Sequence, residues 1–306
     1  MFGSIIVIGF IAIAFLADGY IDPYYLRLTS PQQTALIVGS SRAAQGMQPA
    51  VINRALGKEY GQPVYNFSFS STYSPFGKTY LNAIRKKLRS DTKNSFFIVA
   101  VDPWSLIADK PSPDDPETFP ERWCMLGHNP WINSKPCLVY LAKDYPVPFM
   151  TLVTGKIHRQ LFPFHPRFLL HDDGWLEVYR PMDSTSIKSD MEALLTLYTG
   201  YRNTKTMSYT RLSALTETIR FLQQHGDVYL VRLPAHPAIL AIENQLCPGF
   251  HGIIDSIARA QRVPYFSFID SCTKYTYTDG THLWKGSGAV VSEELSRLIL
   301  NYRHSR

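Results

Sequence analysis

Apolar and polar positions along the chain fall into three regimes. The first, residues 2 to 17 (FGSIIVIGFIAIAFLA), is apolar throughout and carries no charge. A membrane-spanning helix wants about 20 such residues, so this run stands near the lower limit. A signal-peptide core is the first alternative, but no basic region precedes the run and no clear small-x-small cleavage pattern follows it. A buried soluble helix is the second, and the polar Asp18-Gly-Tyr that follows speaks against it. The pattern favours an N-terminal membrane anchor over 1–20 and a tether over 21–33, punctuated by Pro23 and Pro31. No Lys or Arg precedes the run, against the positive-inside rule, which points to a true start upstream of Met1.

The second regime is alternation. Thr34-Ala-Leu-Ile-Val38 is a short apolar run stopped by Gly39-Ser-Ser41, the signature of a central strand covered on both faces. Pro49 opens a helix through Leu56 that Gly57 is expected to end. Residues 63–67 form a second strand, and 75–89 a helix with Tyr80, Leu81, Ile84 and Leu88 on one face. Residues 95–101 (SFFIVAV) are the clearest strand, closed by Asp102-Pro103. The rhythm resumes with a helix over 208–225, a strand over 227–233, helices near 235–246 and 250–261, a strand over 264–269 and a last helix over 285–302. Strands alternating with helices predict right-handed crossovers and a parallel sheet with helices on both faces.

The third regime, about 103–207, interrupts the second. Pro, Trp, Asp and short polar stretches dominate it, and only a few helical fragments are expected there. A loop that long in a compact domain is functional or belongs to an insertion. The fold class expected is α/β: a three-layer α/β/α domain over 34–306 with a mostly parallel, flavodoxin-like sheet and a large insertion after the third strand.

Composition narrows the function classes. With 45% hydrophobic and only 18% charged residues, the chain can bury a large core and is not a disordered one. The net charge of +6 is scattered, and Arg85-Lys86-Lys87 lie on an amphipathic helix where a solvated face explains them, so nucleic acid is not an expected partner. Cys124, Cys137, Cys247 and Cys272 show no metal-finger spacing, and His128, His236 and His251 show none either, so no metal is expected. No glycine-rich phosphate loop is present, and no cofactor is expected. In an oxidising compartment Cys124 and Cys137 are the first candidates to pair; free thiols are the alternative.

Chemistry concentrates at two places. Gly39-Ser40-Ser41-Arg42 ends the first strand, where ligands gather in such sheets and where backbone N–H groups favour negative charge. A hydroxyl there serves either as a nucleophile or as a helix cap. Asp279-Gly-Thr-His282 precedes the last helix, and its spacing lets the carboxylate hold one ring nitrogen while the other accepts a serine proton. An isolated D-x-x-H arises by chance in many chains; its combination with a first-strand Gly-x-Ser in an α/β chain is more informative.

On these two blocks the chain resembles the SGNH/GDSL hydrolase superfamily, whose members carry Gly-Asp-Ser on the first strand and D-x-x-H near the C-terminus. The resemblance covers roughly 34–102 and 208–302. It implies Ser41 as nucleophile, His282 as general base and Asp279 as its orienter. The Gly-Ser-Ser variant with an N-terminal anchor looks more like extracytoplasmic relatives that handle acyl groups on envelope polymers, including alginate acetylation proteins and the D-alanine transfer protein of teichoic acid synthesis. The family's oxyanion hole also uses a glycine after the second strand and an asparagine after the third. Here the second strand runs into Asn66-Phe-Ser-Phe-Ser-Ser-Thr72 and the third into Val101-Asp102-Pro103, so both are missing. Either Asn66 or the backbone at Ser70 and Ser71 substitutes, or the protein hydrolyses poorly, since one lost donor costs about 100- to 1000-fold.

Arg42 is expected to bind an anionic substrate group or to pair with a carboxylate, and Arg232 to contact substrate or form a structural ion pair. Trp104, Trp123, Trp131 and Trp175 build either a carbohydrate-stacking wall or ordinary packing. The function expected is an extracytoplasmic serine esterase or O-acyltransferase acting on a glycan or envelope polymer, partnered by a membrane-bound acyltransferase. The alternative is a catalytically silent protein of the same fold that binds a polymer or that acyltransferase.

Overall fold

The computed structural model describes residues 9, 11–129, 132–148, 151–162 and 166–305. Among them the strands are β1 (Ala35–Val38), β2 (Val64–Asn66), β3 (Ser95–Ala100), β4 (Ile107–Asp109), β5 (Phe168–Leu170), β6 (Leu176–Val178), β7 (Lys205–Met207), β8 (Gly226–Arg232) and β9 (Tyr265–Ser267). Five of them form one sheet in the order β2-β1-β3-β8-β9, and every pairing in it is parallel. The helices that matter below are α1 (Ser41–Gly46), α2 (Lys78–Lys87), α3 (Thr151–Leu161), α4 (Ser184–Thr204), α5 (Tyr209–Gln223), α6 (Pro237–Leu246), α7 (Phe250–Gln261) and α8 (Lys285–His304).

The continuous apolar runs of the central strands follow from burial on both faces. Leu36, Val38, Phe97, Val99, Val228 and Leu230 point to one core, shared with α2, α5 and α7. Ile37, Phe96, Ile98, Tyr229 and Val231 point to the other, shared with Val291, Leu295 and Ile299 of α8. The chain is thus an α/β protein with helices on both faces of a five-stranded parallel sheet.

Two local expectations fail. The helix from Pro49 does not stop at Gly57: it widens into a π-turn over Asn53–Gly57 and runs on to Tyr60. Asn53 holds that turn against β2 by accepting from the Val64 amide at 2.8 Å. The 103–207 region is more ordered than a run of fragments. Its ends close as an antiparallel pair, Ile107 opposite Met207; β5 and β6 form a hairpin; and α4 is a 21-residue helix. None of the α4 residues is fully buried, so its sequence carries a diluted apolar stripe, and packing against α6 sustains it. Of the two alternatives open for Cys124 and Cys137, the structure has free thiols, as at all four cysteines: the Cys137 thiol faces the Asn129 side chain, and that of Cys124 the Pro120 carbonyl.

Among the described residues no helix is long and apolar enough to cross a membrane. Residues 1–8 and 10 of the expected anchor lie outside the described residues. Of the remainder, Ala14 and Ala17 are buried in the core, while Ile11 and Phe15 are exposed.

Lys87 also departs from expectation. Arg85 and Lys86 are solvated, but Lys87 turns inward from the last turn of α2 and is fully buried. Its ammonium donates to the Leu28 carbonyl at 3.0 Å and the Ser30 carbonyl at 2.6 Å, stitching α2 to the segment that leads into β1. Burial pushes its pKa down from 10.5 to about 7. Over that interval the unfolded chain holds a proton that the folded chain has released, so stability rises with pH. Unfolding free energies from urea titrations are expected to rise between about pH 7 and about pH 9.5 for the wild type by on the order of 2 kcal/mol relative to Lys87→Met. Parallel pH profiles for the two proteins would refute this.

Candidate active site

In the sheet order β2-β1-β3, the crossovers leave β1 in opposite directions, and a crevice opens at the carboxyl ends of β1 and β3. Gly39 ends β1 there with φ 157°, and a Cβ on it would lie 2.8 Å from the Cβ of Ala100 on β3. Only glycine lets the two strand ends meet this closely. Ser40 caps α1 by accepting from the Arg42 amide, and its hydroxyl donates to Asp102 at the end of β3. Ser41, the first residue of α1, points its Oγ at His282 Nε2, 2.8 Å away. Of the two adjacent serines, Ser40 is thus tied into the frame, and Ser41 faces the histidine.

The second block is a tight turn. Asp279 Oδ1 accepts from the amides of Thr281 at 3.0 Å and His282 at 2.9 Å, and Oδ2 lies 2.8 Å from His282 Nδ1. Gly280 takes φ 82°, which lets three residues turn the imidazole back onto the carboxylate. The proton assigned to Nδ1 by this contact leaves Nε2 as the acceptor facing Ser41. Burial alone would raise the Asp279 pKa, but the His282 contacts and the Arg180 guanidinium outweigh it and hold the carboxyl below the usual range. Arg180 Nη2 lies 3.6 Å from Asp279 Oδ2, while Nη1 pairs with Asp190 at 2.7 Å.

Beneath these blocks lies a buried charge cluster. Glu243 on α6, wholly buried, accepts from Arg42 Nη2 at 2.5 Å, Trp104 Nε1 at 2.8 Å and Arg232 Nη2 at 3.1 Å. Arg42 also donates to Thr281 Oγ1 at 3.2 Å. Burial would lower the Arg42 pKa, but Glu243 and Asp102 raise it above the ordinary value. Of the alternatives open for the two arginines, substrate binding is therefore replaced by ion pairing, because both guanidiniums are buried against Glu243.

Asn66 is not an oxyanion donor either. Its Nδ2 donates to the carbonyls of Ala43 and Met47 at 2.9 and 3.0 Å, and its Oδ1 accepts from the Ser68 amide, so every polar atom is occupied in fixing α1 to β2. Asp102 stands at the end of β3, with one oxygen on Ser40 and the other capping Ser105 at 3.0 Å. Burial is the main cause that raises its pKa, against the opposing pull of Arg42 and Ser40. Ser71 lines a cavity of about 370 Å³ together with Trp104, Tyr198 and Tyr201. Among the described residues, Trp104, Trp123 and Trp175 stand in separate surroundings. Trp104 is buried, its ring centroid 3.8 Å from that of Tyr198; Trp175 stacks on His171; Trp123 is exposed; and Trp131 lies outside the described residues.

Glu243, Asp102 and Arg180 escaped the sequence analysis. Glu243 left one signal: it stands on the buried stripe of α6 between Ile239, Ile242 and Leu246, where a carboxylate needs a buried partner. Arg180 left none, because it reaches the site only through the folding of the 103–207 region. Among the described residues no cluster of three or more His, Cys, Asp or Glu side chains is placed to hold a metal ion. In comparisons with known proteins, no family model and no curated relative matches the chain.

Removing Glu243 strands two buried guanidiniums that already carry unpartnered nitrogens. Glu243→Ala is expected to cost about 3–5 kcal/mol in urea unfolding. A loss under about 1 kcal/mol, the size of an exposed ion pair, would show that the cluster does not hold the site together.

Proposed function

We propose that the chain is an extracytoplasmic, membrane-anchored serine esterase or O-acyltransferase of the SGNH/GDSL type, acting on a glycan or envelope polymer. The observation that carries this reading is the unbroken relay Ser41 Oγ–His282 Nε2–Asp279, with both links at 2.8 Å. His282 takes the Ser41 proton as the oxygen attacks an ester carbonyl, and Asp279 stabilises the imidazolium that forms. His282 then returns the proton to the leaving alcohol, and an acyl-serine remains. A second alcohol or water, deprotonated by the same imidazole, releases the acyl group.

The site is equipped unevenly for these steps. The Ser41 amide, at the first position of α1, has no acceptor within the helix and is available to an oxyanion. The Asn66 side chain is spent elsewhere, and the β3 end supplies an acceptor, Asp102. A site short of donors transfers slowly to water, whereas a bound sugar hydroxyl gains from effective molarity. The same shortage of donors favours a second reading, a silent domain that binds the polymer or a membrane-bound acyltransferase.

Acetyl release from small esters and acetylation of polysaccharide acceptors, run side by side on the full chain, separate the two readings. Weak hydrolysis and faster transfer are expected. Ser41→Ala and His282→Ala should each lower both by at least about 1000-fold, and Asp279→Ala by about tenfold to a hundredfold less. A fluorophosphonate probe should label the wild type and not Ser41→Ala. If wild type and Ser41→Ala are indistinguishable in all three assays, the enzyme reading fails and the binding domain replaces it.

A further inference from the structure

The segment from 146 to 171 combines cations with exposed apolar residues on one helix. It contains Lys156, Arg159, Arg167 and three histidines, many apolar residues, and no Asp or Glu. Its helix α3 turns Leu152 into the core and leaves Thr154, Ile157, His158, Gln160 and Leu161 exposed. Ile157 is 49% exposed, Leu161 69% and the following Phe162 57%. On a helix, positions 154, 157, 158 and 161 form a single stripe, in which Ile157 and Leu161 lie one turn apart with Thr154 and His158 beside them. Lys156, on the same helix, and Arg167, which follows it in the chain, are both exposed.

This face is tied to the point where the N-terminal apolar run ends. Arg159 pairs with Asp18, its guanidinium lies 5.3 Å from the Tyr20 ring, and Gly155 approaches the Ile21 side chain. Ile11 and Phe15, on the last described turn of the run, are themselves exposed. The exposed faces of two elements thus belong to neighbouring parts of the molecule, one of them continuous with residues 2–17. A cavity of about 490 Å³, lined by Leu138, Leu141, Ala142, Tyr145, Pro146, Val147 and Pro148, lies immediately before α3 in the chain.

We propose that α3 lies in the interface of an anionic lipid bilayer, with Ile157, Leu161 and Phe162 among the acyl chains and Lys156 and Arg167 at the headgroups. Apolar residues on one side, cations beside them and no carboxylate within the segment are the chemistry an anionic membrane surface recognises. The uncharged apolar run at 2–17, of which Ile11 and Phe15 are exposed, argues the same occupant for the neighbouring face. This inference rests on the anchoring part of the proposed function and is independent of its catalytic part. Its consequence is orientation: with two attachments, the anchor and α3, the domain is held in one pose on the membrane instead of swinging on a tether.

Site-directed spin labelling of the full chain in phosphatidylcholine–phosphatidylglycerol vesicles tests it. Nitroxides are placed at Ile157→Cys, Leu161→Cys and, as a control on α4, the exposed Ser189→Cys, each in a Cys124→Ser background because the other three cysteines are buried. Ile157 and Leu161 should be several-fold more accessible to oxygen, which concentrates in lipid, than to a water-soluble nickel chelate, and Ser189 the reverse. Adding Lys156→Glu and Arg167→Glu should move both α3 labels toward the aqueous pattern. Vesicle-bound protein with aqueous labels at 157 and 161 overturns the inference and leaves the anchor standing. Labels shielded from both reagents also overturn it, in favour of a second copy covering the face. A chain that does not float with the vesicles overturns anchor and inference together. Fluorophosphonate labelling of the same sample reports separately on the catalytic reading.

Discussion

Everything at the candidate site depends on one buried carboxylate. Glu243 receives a guanidinium from α1, a guanidinium from β8 and an indole from the region after β3, and through Arg42 it reaches the turn that carries His282. Four segments far apart in sequence are thereby brought into register within hydrogen-bond distances. A charge in a low-dielectric interior tolerates little displacement of its partners, so the cluster fixes positions more strictly than apolar contact would. Ser41 stands next to Arg42, and His282 next to Thr281; each inherits its place from the neighbour that the cluster holds.

A second buried contact completes the frame. Ser40 and Asp102 join the ends of β1 and β3 across the crevice, and the close approach of Gly39 to Ala100 permits it. Asp102 anchors the Ser105 backbone and cannot donate to an oxyanion while ionised, so this contact strengthens the frame and adds nothing to the site's electrophilic side.

The 103–207 region closes this arrangement from outside. Its two ends pair as β4 and β7, so it leaves and rejoins the sheet domain at one place. From there α4 brings Tyr198 against Trp104, and the hairpin is followed by Arg180 beside Asp279. The same region carries α3 and its exposed apolar face. A single excursion of the chain thus borders the candidate site on one side and supplies the proposed membrane contact on the other.

The sequence by itself determined the elements of the sheet and the local pairing of Asp279 with His282. Doubly buried parallel strands must be short and apolar, which made β1, β3 and β8 legible, and Asp279 and His282 are brought together by a three-residue turn that needs no tertiary information. What joins these local units was not legible. Whether Arg42 faces substrate or a carboxylate depends on where Glu243 lies, 201 residues away. The 103–207 region read as fragments because the order of α4 comes from packing against α6 and Trp104 more than from its own periodicity. Lys87 read as solvated because its acceptors, the carbonyls of Leu28 and Ser30, are backbone atoms that leave no trace in residue identity. Short-range constraints are written in spacing and hydropathy. Long-range polar contacts need only one suitable partner anywhere in the chain, and only the tertiary structure decides which one it is.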